Sequence, residues 1–386
     1  MNIDKNVSAS AKMITLPVIE AGSCRCGETK DSAGTAPNLN QPFVTGVIST
    51  GAGTFPQVSS ALRWHDHWAT FKARWGIGRM NYAVDPGLYA LGNPDNNSPV
   101  LVSANYKISF DKLREALPGR SVWLLVLDTK GINVWCAAGK GTFGTQELIN
   151  KTESSRLKEA VNHKKIILPQ LGAPGIAAHE VRQRTGFKVY YGPIRAEDIP
   201  AYLDAGLKAT AKMRLMTFPL KDRAVLIPVE LVEIIKPFMF LASVLFLLGG
   251  IGGPGGFLEN SLSYGSFAVL ALSGAVLAGA VINPLLLPYL PGRAFSIKGF
   301  FTGIIVALTL LYLRGLDLQA WPARVEAFAW LLIIPAVAAY LAMNFTGCST
   351  YTSLSGVKKE MRLALPVQIS MAICGILIWL ISRLIT

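Results

Sequence analysis

The feature that most constrains this chain is an almost uncharged C-terminal part. Residues 237–386 contain eight Lys or Arg and four Asp or Glu, whereas residues 1–236 carry the other 29 and 20. A helix of about 20 apolar residues crosses a bilayer core of about 30 Å, so the long apolar runs predict membrane spans. A soluble helical bundle would show polar faces at helical spacing, and these runs are apolar all round. The predicted spans are about 237–257, 267–288, 297–313, 327–345 and 363–383.

Positive charges in short loops predict how the chain is oriented, because Lys and Arg concentrate on the cytoplasmic side. With the N-terminus inside, the outside loops hold only Arg314, Arg324 and Arg383, and residues 1–30 lack the apolar segment of a signal peptide. The pattern predicts a multi-pass protein of the cytoplasmic (inner) membrane whose N-terminal domain is cytoplasmic. The positive charge of that domain suits anionic lipid. We expect no nucleic-acid partner, because the sequence has no zinc-finger or RNA-binding signature.

The pattern of the N-terminal part predicts an α/β domain. We expect residues 1–40 to be a flexible segment, residues 41–225 to form this domain, and residues 226–386 to form the all-α transmembrane domain of about five helices. From residue 99, short apolar strands alternate with helices, which is typical of a Rossmann-like parallel sheet. The predicted strands are 99–103, 121–128, 165–169, 188–191 and 224–228; the predicted helices are 109–117 with Ser109 as cap, 145–162, 175–185 and 196–205.

Three loops rich in Gly and Pro follow Asp128, Pro169 and Tyr191. Ligands of such sheets bind beyond the carboxyl ends of the strands, and Gly lets the backbone approach them closely. A large, flat ligand is therefore predicted; a nucleotide is not, because the full spacing of a phosphate-binding loop is absent. The candidate binding residues are Asn133, Val134, Trp135, Cys136, Ala137, Ala138, Gly139, Lys140, Gly141, Thr142, Gly172, Ala173, Pro174 and Gly192.

Cys136 is the candidate for chemistry, and its sequence context leaves two interpretations open. Most single cysteines are small buried hydrophobic residues. Alternatively, Ala137 and Ala138 favour a helix that begins about here, and a thiol at a helix N-terminus near Lys140 has its thiolate favoured. Such a thiolate at the ligand edge of a sheet is a nucleophile or a ligand for a soft metal.

The residues around Cys136 also resemble a motif of a known protein family. Asn133-Val-Trp-Cys-Ala-Ala-Gly-Lys140 resembles the cap-helix motif of the mercury-methylating corrinoid family HgcA. Residues 102–111, 168–175 and 191–200 resemble that family as well, and they are shared in outline with the corrinoid-binding domain of the corrinoid iron–sulfur protein of acetyl-CoA synthesis. The resemblance covers about residues 43–386.

The resemblance implies a membrane-anchored, corrinoid-dependent methyltransferase that gives methylmercury from Hg(II). A base-off corrinoid (cobalamin) would lie on the sheet edge with Cys136 as the lower axial ligand of cobalt. A soft thiolate opposite the methyl group would make that group electron-rich, as Hg(II) requires. Asn133 would contact the corrin or steady the loop, Trp135 would shield the lower face or pack in the core, and residues 139–142 would meet the corrin edge. The implied partners are the ferredoxin-like iron–sulfur protein HgcB as reductant and a methyltetrahydrofolate-linked methyl donor.

Two other functions stay open. One is a corrinoid methyl carrier for acetyl-CoA synthesis or another acceptor. The other is a membrane transporter or anchor with a ligand-sensing domain, which is disfavoured because the predicted spans lack charged residues in their interiors. Cys24 and Cys26 are weak candidates for metal binding or thiol exchange, Cys348 for relaying Hg(II), and residues 346–359 for docking the soluble domain. We expect Cys374 to be inert and His65, His67, His163 and His179 to be structural or on the surface.

Overall fold

Seven strands pair into one mixed sheet in the computed structural model, which describes residues 37–345 and 354–385. The strands are β1 Val44–Thr50, β2 Gly53–Val58, β3 Gly87–Leu91, β4 Val100–Ala104, β5 Val122–Leu127, β6 Lys165–Leu168 and β7 Lys188–Tyr191. The helices of this half are α1 Trp64–Arg74, α2 Lys107–Glu115, α3 Val134–Lys140, α4 Thr145–Ser154, α5 Leu157–Ala160, α6 Ala178–Thr185 and α7 Ile199–Asp204.

The strand order is β1-β2-β3-β5-β4-β6-β7, and β4 to β7 run parallel to one another. These four strands and the α/β class were predicted correctly, because each strand is a short, continuously apolar run. Strands β1 to β3 were not predicted. The edge strand β1 alternates only between exposed and half-buried positions, so it lacks the pattern of a buried strand. Strand β3 is fully buried, but it pairs antiparallel with β5 and lies before the regular alternation of strands and helices that begins at residue 99.

Three local predictions differ from the structure. Residues 224–228 are not a strand: they join the helices α8 Leu220–Ala224 and α9 Ile227–Leu248, and Pro228 occupies the first turn of α9, where proline is tolerated. Helix α2 begins at Lys107 rather than after a Ser109 cap, and Lys107 pairs with Asp111 one turn later. The helix predicted over 175–185 is confirmed as α6, but it begins at Ala178 because residues Gln170–Gly175 form a 3₁₀ turn.

The sheet has a hydrophobic core on each face because successive strand residues point to opposite sides. Val102 and Leu125 pack on one face with Leu148 of α4, whereas Leu101 and Leu124 pack on the other. Helices α4 to α6 cover the first face, and α2 and α7 cover the second. Because both faces are covered, the loops at the strand ends are the open part of this fold.

A buried ionic network attaches α1 to α2. Lys107 Nζ lies 2.9 Å from Asp66 Oδ1 and 2.6 Å from Asp111 Oδ1. Arg114 completes the network, with Nη2 at 2.9 Å from Asp66 Oδ2 and Nε at 2.8 Å from Asp111 Oδ1. Burial by itself raises the pKa of Asp66, but the hydrogen bonds from Lys107 and from the Arg63 N–H, together with the charges of Lys107 and Arg114, lower it from 3.8 to about 2.

We expect Asp66→Asn to destabilise the full chain by about 3 kcal/mol at pH 7, because two buried cations then share one carboxylate. The pKa of Asp66 is lower in the folded than in the unfolded state. Its contribution is therefore present above the unfolded value of 3.8 and is lost as the pH falls towards about 2. Denaturant unfolding in detergent at several pH values measures both effects. Asp204→Asn, which removes the exposed Arg120–Asp204 pair, is the control and should change stability little; an equal effect of both substitutions would contradict the prediction.

The described residues of the C-terminal half contain five helical segments long and apolar enough to cross a membrane, as predicted; their lengths and composition suggest a membrane protein. The segments are Leu220–Leu248, Phe257–Leu286, Phe295–Arg314, Trp321–Asn344 and Gly356–Leu384. We call Phe295–Arg314 α13, Trp321–Asn344 α14 and Leu354–Leu384 α15; the second segment joins α10 Phe257–Asn260, α11 Ser266–Val276 and α12 Asn283–Leu286 through π-helical turns.

Small residues let these helices approach closely. A Cβ atom on Gly303 of α13 would lie 2.6 Å from Pro335 Cα, and one on Gly299 would lie 2.5 Å from the Ala342 Cβ of α14. A Cβ on Gly375 of α15 would lie 2.6 Å from Ile333. Close backbone approach at small residues is the usual basis of helix packing in lipid, where the hydrophobic effect does not drive association.

The helices begin before the predicted spans and include buried charged side chains near their ends. Glu326 in α14 is buried and pairs with Arg314 of α13 at 2.9 Å. Arg383 of α15 is also buried, and its guanidinium donates to the Gly252 carbonyl at 3.2 Å. These groups lie near helix ends and are neutralised by pairing or by a carbonyl dipole, so they fit a structural role.

Candidate functional site

The loops that follow the parallel strands meet at one edge of the sheet. Asn105 follows β4, Asp128 follows β5, Pro169 follows β6 and Gly192 follows β7. Parallel strands end at the same side, so these positions form a common rim. The short helix α3 lies on this rim, with Ala137 and Ala138 packed into the core of the first sheet face.

Asn105 organises the loop between β5 and α3. Its Oδ1 accepts hydrogen bonds from the Thr129 N–H at 3.1 Å, the Thr129 hydroxyl at 2.8 Å and the Gly131 N–H at 3.0 Å. Its amide nitrogen donates to Asp128 at 3.3 Å. Asn105 was not among the predicted site residues, although a polar side chain directly after a buried strand indicates a position at the ligand edge of the sheet.

Two carboxylates, those of Asp128 and Glu147, hold the same loop through hydrogen bonds and an ion pair. The Asp128 N–H donates to Glu147 Oε1 at 2.8 Å, and Lys130 Nζ pairs with Asp128 Oδ2 at 2.8 Å. Burial, opposed by the hydrogen bond from Asp128, raises the pKa of the Glu147 carboxyl above its ordinary value. Lys130 adopts a φ of 57°, a conformation that is uncommon for a residue with a side chain. The loop is thus held in a defined shape before α3 begins.

Cys136 lies in the first turn of α3. Asn133 caps the helix, and its side-chain oxygen accepts the Cys136 N–H at 2.9 Å. The helix begins at Val134, slightly earlier than the two alanines indicated. Cys136 and Trp135 are both half-buried, whereas Ala137 and Ala138 are buried and Lys140 is exposed. Lys140 is four residues after Cys136, so the two lie on the same face of the helix. The N-cap therefore fixes the backbone that carries the sulfur.

A tight contact holds α3 against the 3₁₀ turn at residues 170–175. A Cβ atom on Gly175 would lie 2.2 Å from the Phe143 carbonyl oxygen and 3.3 Å from Ala138 Cα. One on Gly172 would lie 2.5 Å from the Phe143 ring. The first two predicted loops are thus in direct contact, and glycine is required at the point where they meet.

The remaining candidate residues differ in how far they are exposed to solvent. Gly139 and Gly141 are exposed, and a Cβ on either would meet nothing within 4 Å. Gly192 is buried against Ile167 and the Leu168 carbonyl, so it packs between neighbouring strands. Val134 packs against the sheet core, Ala173 and Thr142 are half-buried, and Pro174 is exposed.

The other candidate residues lie away from α3 or outside the described part. Cys374 is exposed within α15, whereas Cys24, Cys26 and Cys348, together with most of segment 346–359, lie outside the described residues. His65, His67 and His179 are exposed. His163 is engaged with the Ser98 carbonyl through Nε2 at 2.9 Å.

Comparison with known proteins gives a partial match. Residues 77–203 match the family of the CO dehydrogenase/acetyl-CoA synthase delta subunit. The acetyl-CoA decarbonylase/synthase complex subunit gamma of Methanothermobacter thermautotrophicus is 35% identical over 128 residues, which are 33% of this chain and 28% of the relative. The corresponding subunit of Archaeoglobus fulgidus is 30% identical over 128 residues, or 33% and 27% of the two chains. Subunit gamma 2 of Methanosarcina thermophila is 32% identical over 130 residues, again 33% and 27%.

The matched region runs from β3 to α7 and contains α3 and all three loops. This chain spans less than a third of the length of these relatives. The similarity supports the expected relationship to a protein of acetyl-CoA synthesis. The more specific relationship to the mercury-methylating family stays a prediction.

Proposed function

We propose that this protein is a membrane-anchored corrinoid protein that carries a methyl group and transfers it to Hg(II). The observation that carries the proposal is the position of Cys136: a half-buried thiol in the first turn of a capped helix, on the ligand edge of a sheet that is similar to subunits of acetyl-CoA decarbonylase/synthase. The similarity supports the methyl carrier, and the cysteine motif supports the mercury acceptor.

The residues at the edge fit a corrinoid. A thiol is a soft donor of the kind that a cobalt ion accepts, and its helix fixes the backbone but leaves the side chain partly accessible. Gly139 and Gly141 are exposed and carry no side chains at the outer end of α3, which suits close approach of a broad planar ring. A bound corrinoid would supply the cobalt ion that carries the methyl group.

The residues of the chain have separable roles in this proposal. Cys136 would bind cobalt as a thiolate, and the helix N-terminus and Lys140 would favour that charge. Asn133 holds the Cys136 N–H and so steadies the loop, which is one of the two roles expected for it. Trp135 would shield the sulfur from water, and the backbone of residues 139–142 would meet the edge of the ring.

Partners and location complete the proposal. A ferredoxin-like iron–sulfur protein such as HgcB would return the carrier to its reduced form, and a methyltetrahydrofolate-linked enzyme would supply the methyl group. The distribution of Lys and Arg supports a cytoplasmic position for the sheet-bearing half, beside the inner membrane.

A methyl carrier for acetyl-CoA synthesis is the second candidate, favoured by the names of the relatives. The purified full chain should contain cobalt and show a corrinoid spectrum, and cells that express it with its reductant should convert Hg(II) to methylmercury. Cobalt without methylmercury would favour the second candidate. Absence of cobalt after growth with cobalamin would exclude both and favour the transporter or anchor.

A further inference from the structure

We infer that the exposed aromatic face of α1 lies in the headgroup region of the membrane that the five apolar helices cross. We call Trp64, Trp68, Phe71 and Trp75 the aromatic row. The row lies outside the region matched by the known families and takes no part in the corrinoid site, so this proposal does not depend on the proposed function.

The aromatic row is continuous and unusually exposed. Its members recur at helical spacing, and neighbouring rings contact one another with centroid separations of 5.8, 5.3 and 5.9 Å. The first two pairs are stacked, whereas Phe71 and Trp75 are tilted by 46°. Their exposed fractions are 75%, 45%, 48% and 38%, and Ile77 just beyond the helix is 63% exposed. A contiguous apolar patch of this kind marks an interaction site, because water does not stabilise it.

The opposite face of α1 is fixed to the protein, so the aromatic row cannot turn inward. Asp66 is held by Lys107 and Arg114, and Ala73 is buried. Thr70 and Asp66 also contact the hydroxyl of Tyr82. The helix is therefore anchored through residues 66, 70 and 73, which project away from the row.

The position of the row points to lipid. A Cβ on Gly76, directly after α1, would lie 3.4 Å from the side chain of Val232 in α9. Val232, Ile235 and Met239 form an exposed apolar face on the first membrane-spanning segment. The Trp75 end of the aromatic row therefore lies beside the exposed apolar face of α9.

Charge and residue type agree with this position. The acidic residue of α1, Asp66, is buried and paired, whereas the basic residues around the row reach the surface at least partly: Arg63, Lys72, Arg74 and Arg79. Positive charge beside an apolar face suits anionic headgroups. Tryptophan is the residue that concentrates at the boundary between headgroups and acyl chains, because its ring is apolar and its N–H donates a hydrogen bond.

Fluorescence quenching of the full chain tests this inference. The protein is reconstituted into bilayers of phosphatidylglycerol and phosphatidylethanolamine, with or without bromine near the carbonyl end of one acyl chain, and is compared with the variant W64F/W68F/W75F. The difference between the two proteins isolates the emission of α1, because the other tryptophans are common to both. We expect brominated lipid to quench most of this difference emission and the aqueous quencher acrylamide to quench little of it.

Trp123→Phe is the matched control, because Trp123 is fully buried in the sheet and its emission should be reached by neither quencher. Quenching of the α1 emission by acrylamide alone would show a water-exposed row and overturn the inference. Protection of the α1 emission from both quenchers would overturn it as well, since the row would then be covered by protein, either residues 1–36 or a second chain.

Discussion

Replacing Cys136 by alanine should reduce methylmercury production to near zero. The sulfur is the soft donor group that the first turn of α3 holds on the ligand edge of the sheet, and alanine retains the helix while removing the donor. Cys136→Ser should fail as well, because a hydroxyl is a hard and poor ligand for cobalt. Methylmercury in cells given Hg(II), normalised to the amount of protein in the membrane, is the measurement.

The matched control is Cys374→Ala, which changes an exposed cysteine within α15 and should leave methylmercury output unchanged. The cobalt spectrum of the purified Cys136→Ala protein adds a second readout. A spectrum altered by the loss of sulfur coordination supports the ligand role, whereas an unaltered spectrum and full activity in Cys136→Ala would refute it. Cys24→Ala and Cys26→Ala should have little effect, as expected from the sequence.

The second large effect is expected from Gly175→Ala, which acts on the contact between α3 and the 3₁₀ turn. The new Cβ would lie 2.2 Å from the Phe143 carbonyl oxygen, and a backbone atom cannot be avoided by rotating a side chain. The 3₁₀ turn must therefore move away from Phe143 and from α3, which directly precedes it. We expect a loss of about 1–3 kcal/mol of stability, as for other overpacked sites, together with loss of most of the bound cobalt.

Gly51→Ala is the control for this substitution, since a Cβ at Gly51 meets nothing within 4 Å. It should change the free energy of unfolding by less than about 0.5 kcal/mol and leave the cobalt content unchanged. Hydrogen exchange of residues 134–145 distinguishes a local effect from general unfolding: exchange should become faster there in Gly175→Ala. If Gly175→Ala retained wild-type cobalt and exchange, the two loops would not need their contact to hold the site.

The candidate site shows how far local sequence information reaches. The position of Cys136 in the segment that follows β5 was predictable, because a buried strand and a glycine-rich segment are both recognised from neighbouring residues. The role of Asn105 was not, because its partners Thr129 and Gly131 lie 24 and 26 residues away in the chain. The contact of Gly175 with Phe143 likewise joins two loops that only the folded sheet brings together.

Hydrophobicity and periodicity over short stretches were enough to predict the five apolar helices of the described residues, the parallel strands β4 to β7 and the position of Cys136 in the segment after β5. The tertiary structure decided the pairing of β1 to β3, the burial of Asp66 against residues of α2, the close packing of α3 on the 170–175 turn and the placement of the aromatic row beside α9. These features depend on which distant segments pack together, and that choice is made by the burial of whole faces rather than by any one stretch of the chain.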